Sequence, residues 1–210
     1  MIVSGTNDLR QQQGQSKVQD NGQLTEAARE FALFLSRSEM ISHTADGRQP
    51  DERAKQHGYD YCLVSENIAY QYSSEGFSAD QLARELVQGW ERSPGHRKNM
   101  HHPDVTEIGV AVAHNAHSGN YYAVQMFGRP QSASMAFEIG NRSGVVISYA
   151  FSGRSYSLEP SYSRTHRECG AVQLEVQWPG EPAPLTVAAR NGDRYTVVRD
   201  GAGKFEIKKE

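Results

Sequence analysis

The sequence contains only two cysteines among its 210 residues, Cys62 and Cys169. They lie far apart and match none of the spacings typical of cysteine metal sites. They are either two buried thiols or one long-range disulfide, and the cysteines alone do not define the cellular compartment. We take a Cys62–Cys169 disulfide as the prediction, because one cysteine falls in each of the two domains predicted below.

The chain also lacks a long apolar run and an excess of basic residues. No apolar stretch approaches the roughly 20 residues that a helix needs to span a bilayer. The formal net charge is −3, which argues against binding to nucleic acid because phosphate contacts require a basic surface. No signal peptide is recognised, and helical sequence begins almost at Met1, so we expect a leader to have been removed.

Motifs of common hydrolases are absent as well. There is no Gly-x-Ser-x-Gly elbow, no His-Glu-x-x-His and no Cys-x-x-Cys. Ser93 precedes His96 closely enough to suggest a nucleophile and a base. However, Ser93 stands directly before Pro94, and this pair is typical of a helix N-cap and first helical position. These observations favour a binding or interaction protein over an enzyme.

Apolar residues in the first 130 positions recur mainly at helical spacing. In the clearest case, Leu82, Leu86 and Trp90 form one stripe, with Ala83 and Val87 beside them. Helices are predicted at 2–13, 24–37, 50–57 and 79–92, with a short one from Pro94, and strands at 108–113 and 121–127. This order predicts an α-β-α sandwich around one sheet.

The remaining residues show a different pattern of short strands separated by turns. Asn191-Gly192 and Asp200-Gly201 are typical hairpin turns. Strands are predicted at 135–139, 145–151, 155–158, 172–177, 185–188, 194–199 and 204–208. The sequence therefore predicts an α+β protein with a first domain at 1–130 and a small all-β sandwich at 131–210.

Candidate chemistry is concentrated in the first domain, which holds seven of the eight histidines. His43, Glu66 and His96 stand out. If they converge, they can form a divalent-metal site or an acid–base cluster. The alternatives are a hydrogen-bonded histidine pair that holds two loops together, and a Glu66 that braces the backbone around a bend at 65–67.

Several segments, in this order, resemble the CAP superfamily of cysteine-rich secretory proteins, antigen 5 and plant pathogenesis-related proteins. The bacterial SCP-like branch is the nearer match, and the resemblance covers about residues 2–130. The matching segments are Asn7 and Arg10 in the first helix, 24–28, 42–43, 65–69, 90–100, 106–112 and 121–128. The β domain lies outside the resemblance.

The resemblance implies a cleft lined by two histidines and two acidic residues. His43 and His96 match the histidines and Glu66 matches the first acid. Three residues are candidates for the second acidic position or its replacement: Glu91, Ser93 and Glu107. The family further implies that zinc or another divalent cation binds through the histidines.

The expected function is that of a secreted or periplasmic binding protein. Its cleft would hold a divalent cation or small ligand, and its partner would be a small ligand, a lipid or a component of the cell envelope. One alternative is a metal-dependent hydrolase in which Glu66 acts as the base. Another is a lipid or sterol carrier. In the binding protein, the β domain would position the cleft against a partner, a cell-wall component or its own linker.

Overall fold

The computed structural model describes residues 1–180 and 182–210. The chain forms two compact units, Met1–Ser132 and Ala133–Glu210. The first unit combines helices with one four-stranded sheet, and the second consists of two four-stranded sheets. The predicted α+β class is confirmed.

The helices of the first unit follow the predicted pattern closely. They are α1 (Ile2–Gln12), α2 (Gly22–Ser38), α3 (Pro50–Gln56), α4 (Ala79–Arg92) and α5 (Pro94–Met100). The bounds of α4 coincide with the prediction because a capping box marks its start. The Ser78 side chain accepts a hydrogen bond from the Gln81 backbone, and the Gln81 side chain accepts one from the Ser78 backbone.

The sheet of the first unit places a long strand at its edge. Its strands are β1 (Gln19–Asp20), β2 (Tyr61–Tyr72), β3 (Glu107–Asn115) and β4 (Asn120–Pro130), in the order β1-β3-β4-β2. Strand β4 pairs antiparallel with both β2 and β3, and β1 pairs parallel with β3. The bend expected at 65–67 is wrong, because these residues lie in the middle of β2.

Two apolar cores lie on opposite faces of this sheet, which confirms the α-β-α sandwich. Residues of α2, including Phe31 and Leu35, pack on one face with Met126 of β4. Leu86 and Trp90 of α4 pack on the other face with Phe127 of β4. Because successive side chains of a strand point to opposite faces, β4 contributes to both cores.

The second unit is a β-sandwich whose two sheets share one apolar core. One sheet has the order β10-β9-β6-β7 and the other β12-β11-β5-β8. The strands are β5 (Met135–Arg142), β6 (Ile147–Phe151), β7 (Arg154–Leu158), β8 (Ser163–Glu168), β9 (Val172–Gln177), β10 (Leu185–Ala189), β11 (Arg194–Arg199) and β12 (Phe205–Lys209). Strand β8 was not predicted.

No helix within residues 1–180 and 182–210 is both long and apolar enough to cross a bilayer.

Candidate functional site

Two consecutive residues of β2 reach opposite faces of the sheet. The Glu66 side chain contacts α3 and the connection between α2 and α3. The Asn67 side chain contacts α5. Both residues are buried. The alternation of side chains along the strand therefore lets one dipeptide support groups on both sides of the sheet edge.

Each oxygen of the Glu66 carboxylate has one hydrogen-bond partner. Its Oε1 lies 2.8 Å from Nδ1 of His43, and its Oε2 accepts a hydrogen bond of 2.8 Å from Nη2 of Arg53. Because a carboxylate accepts hydrogen bonds, Nδ1 of His43 is the donor. In the neutral ring this leaves Nε2 of His43 as an acceptor. The His43 side chain is 48% exposed.

Arg53 of α3 holds this side of the site together. Its guanidinium donates to the carbonyl oxygens of His43 and Arg48 and to the Asp46 carboxylate at 2.8 to 2.9 Å. It also lies 3.6 Å from the centre of the Phe31 ring. Arg53 could not be predicted from the sequence, because an arginine in a short polar helix carries no signal of burial.

A buried network of amide side chains supports the other histidine. Asn67 Nδ2 donates to the His96 carbonyl oxygen at 3.2 Å and to Gln125 Oε1 at 3.0 Å. Asn99 Nδ2 donates to Asn67 Oδ1 at 2.9 Å, and Gln125 Nε2 donates to the Thr6 hydroxyl at 2.9 Å. The backbone of His96 is thereby tied to β2, β4 and α1.

The two imidazoles lie close enough to influence each other. Burial lowers the pKa of His96, and the nearby His43 lowers it further. A lowered pKa favours the neutral imidazole, which is the form that binds metals. His43 is thus hydrogen-bonded to Glu66 and lies near His96, and the use of these residues as a metal or ligand site stays a prediction.

The candidates for the second cleft acid have other partners. Glu91 Oε2 lies 2.8 Å from Nε2 of His101, and Glu107 accepts a hydrogen bond of 2.5 Å from the Tyr59 hydroxyl. Burial, together with Glu107, raises the pKa of Tyr59. Ser93 is the N-cap residue of α5 by position, but its side chain accepts no capping hydrogen bond from the backbone of the helix. The structure records no hydrogen bond or ion pair from these three to the histidine site in its described ranges.

The donor set for a metal ion is limited to the two imidazoles. Among residues 1–180 and 182–210, no group of three or more His, Cys, Asp or Glu side chains is arranged to hold a metal. The Glu66 carboxylate is buried and already holds His43 and Arg53. An ion held by the two imidazoles would take its other ligands from solvent or from a bound molecule.

Neither cysteine is a free thiol in the structure. The pairing of Cys62 with Cys169 stays a prediction. We expect alkylation of the denatured, non-reduced protein to label neither cysteine, and the same treatment of Cys62→Ser to label Cys169. Labelling of both cysteines in the non-reduced wild-type protein, read by intact mass, would contradict the pairing.

The first unit is an α-β-α sandwich in which His43 contacts the edge strand β2 through Glu66 and His96 contacts it through Asn67. The family model described as the cysteine-rich secretory protein family, CAP, matches residues 3–127. The chain therefore belongs to the CAP family, and its CAP domain occupies nearly all of the first unit.

Relatives and solved structures agree with this assignment. The chain is 30% identical over 129 residues to the uncharacterized protein YkwD of Bacillus subtilis, a match that covers 61% of this chain and 46% of YkwD. The chain thus spans less than half the length of that curated relative. An outer surface protein from Borrelia burgdorferi has the same fold, with a TM-score of 0.55 and 22% identity over 62% of this chain and 90% of that protein. An extracellular SCP-domain protein from Bacillus anthracis gives a TM-score of 0.51 and 26% identity over 61% of this chain and 39% of that protein.

Proposed function

We propose that this CAP protein is a binding protein whose cleft holds a divalent cation through His43 and His96. The hydrogen bond from Nδ1 of His43 to the buried Glu66 carboxylate carries this proposal. Metal-binding histidines commonly donate their second ring nitrogen to a carboxylate, which orients the ring and makes the other nitrogen more basic. The exposure of His43 leaves its Nε2 accessible.

Zinc is the cation that this donor set favours among the common divalent ions, because imidazole nitrogens suit zinc better than they suit magnesium or calcium. Two imidazoles supply half of a tetrahedral coordination shell. The remaining positions are then open to an oxygen or nitrogen donor of a small ligand. When bound, the ion would act as a positive charge that attracts such a donor.

The geometry favours binding over hydrolysis. A general base must have an oxygen or nitrogen that is free to accept a proton from water. Both oxygens of Glu66 are engaged by His43 and Arg53, and its side chain is fully buried. Glu66 is shielded from water and orients His43, which weighs against its use as the base of a hydrolase.

An extracytoplasmic location is part of the proposal. The SCP-domain relative from Bacillus anthracis is described as extracellular, and the Borrelia burgdorferi relative is described as an outer surface protein. The two non-free cysteines agree with this, since stable disulfides form mainly in oxidising compartments. The ligand would then come from outside the cell or from the cell envelope.

Zinc titration by calorimetry tests the proposed site. Wild-type protein should bind zinc, and His43→Ala and His96→Ala should each weaken binding at least about tenfold because each removes one of two protein ligands. His117→Ala is the matched control, since His117 is exposed in the β3–β4 connection. Wild-type protein that does not bind zinc, or an equal loss in His117→Ala, would contradict the proposal.

A further inference from the structure

Helix α5 carries a second group of chemically active side chains on the face opposite His96. Arg97, Lys98 and His101 lie on one side of the helix by their spacing, and His96 and Asn99 lie on the other. A recess of about 410 Å³ adjoins the first side. Six of its lining residues bear on the argument: Gln13, Gln15, Glu91, Arg97, Lys98 and His101.

The recess has an excess of positive charge, although the whole chain is acidic. Arg97 and Lys98 are exposed, and neither forms an ion pair in the part of the chain that the structure describes. The carboxylate of Glu91 is engaged by His101 at 2.8 Å. Nδ1 of His101 is buried, with no hydrogen-bond partner among the described residues.

A buried arginine adds a further charge beside this recess. Arg10 of α1 is fully buried, and its guanidinium donates to the carbonyl oxygens of Ser16, Met100, His102 and Val105. These bonds engage all three nitrogens of the guanidinium, but none of them reaches a carboxylate. Two of the acceptors directly flank His101 in the chain. A positive charge held in a region of low dielectric raises the electrostatic potential of the neighbouring surface.

We propose that this recess binds a phosphate group. The planar guanidinium of Arg97 matches two phosphate oxygens, and the ammonium of Lys98 supplies a point charge for a third. The amides of Gln13 and Gln15 provide uncharged hydrogen-bond donors at the same recess. A phosphate carries nearly two negative charges at neutral pH, which suits the two unpaired cations Arg97 and Lys98. The recess is separate from the His43–His96 site, so this inference does not depend on metal binding.

Calorimetric titration of the full chain with inorganic phosphate, in a chloride buffer, tests whether the recess binds phosphate. Arg97→Gln/Lys98→Gln should weaken phosphate binding at least about tenfold, because both charged donors are removed. Arg37→Gln/Lys55→Gln is the matched control. It removes the same charge from two exposed positions of the first unit, and it should change the affinity by less than about twofold.

Two outcomes would overturn the proposal. One is wild-type protein that binds no phosphate up to about 10 mM, the upper range for a weak specific site. The other is an equal loss of affinity in both double variants, which would show a general effect of charge. His43→Ala/His96→Ala should retain phosphate binding, so failure of the metal site and failure of this recess are distinguishable.

Vesicles identify the source of the phosphate group. Phosphatidylglycerol vesicles that bind the wild-type protein but not Arg97→Gln/Lys98→Gln would support a lipid headgroup as the ligand, with phosphatidylcholine vesicles as the uncharged reference. Binding of inorganic phosphate without vesicle binding would support a soluble phosphate ester. Vesicle binding that survives in the double variant, together with an absence of phosphate binding, would contradict the recess as the site.

Discussion

Glu66→Gln should lower the free energy of unfolding of the CAP domain by about 3 kcal/mol, because it breaks a buried ion pair and leaves one partner charged. The Glu66 side chain is fully buried, and Arg53 Nη2 and His43 Nδ1 both donate to it. Glutamine has nearly the same shape but only one acceptor oxygen. Either Arg53 or His43 then faces an amide nitrogen that cannot accept its hydrogen bond.

Urea unfolding in a Trp178→Phe background measures this change, because Trp90 then reports on the first unit alone. Glu26→Gln is the matched control. It removes a carboxylate that is 55% exposed and lies 3.4 Å from Arg29. Exposed pairs of this kind contribute little, so a loss below about 1 kcal/mol is expected for the control. If Glu66→Gln behaves like Glu26→Gln, the ion pair does not hold this side of the site together.

Gly109→Ala should lower the free energy of unfolding of the CAP domain by about 3 kcal/mol or more, because the added methyl group overpacks the contact between β3 and α2. A Cβ atom at Gly109 of β3 would lie 2.2 Å from the backbone carbon of Leu24 and from the backbone nitrogen of Thr25. Both atoms belong to the first turns of α2, and a backbone cannot rotate away as a side chain can. The helix would have to move off the sheet and disturb the core beneath it.

Gly89→Ala is the contrasting variant. Gly89 lies within α4, and a Cβ there meets no atom within 4 Å. Alanine should stabilise the protein by about 0.5 to 1 kcal/mol, since glycine is unfavourable inside a helix. The same unfolding assay compares the two variants. A stable Gly109→Ala protein would show that α2 does not approach β3 as closely as the structure indicates.

Elements with a local signal were the ones that the sequence could predict. Helix α4 has a capping box at its start and a regular apolar stripe, so both of its ends were correct. Strand β2 was missed because Glu66 and Asn67 interrupt its apolar pattern, although both are buried. Strand β8, which lies at the edge of its sheet, contains no aliphatic residue and so has no apolar pattern. Partners distant in sequence stabilise β2 and β8, and a local pattern does not report them.

In the candidate site, too, the sequence could predict only the features that have a local signal. His96 could be placed at the start of a helix from Ser93 and Pro94 alone. Its association with His43 and Glu66 rested on the family resemblance, because the three residues come from separate segments. Arg53 was missed, since its burial depends on four acceptors and a ring that only the folded chain assembles. The position of the second acid stays a prediction, and Glu91 and Glu107 have hydrogen-bond partners that their local sequence does not indicate.

The edge strand beside the histidines has a consequence for the kind of ligand that the cleft accepts. Asn99 Nδ2 donates to the Glu66 carbonyl oxygen at 3.1 Å, and Trp90 Nε1 donates to the Ile68 carbonyl oxygen at 3.3 Å. Proteins that read an extended peptide often do so by adding it as a strand to a free sheet edge. Here the acceptors that such a peptide needs next to His43 and His96 are already taken. A peptide added to this edge as a strand would have to displace these two side-chain donors, so a polypeptide in extended form is a poor match for it.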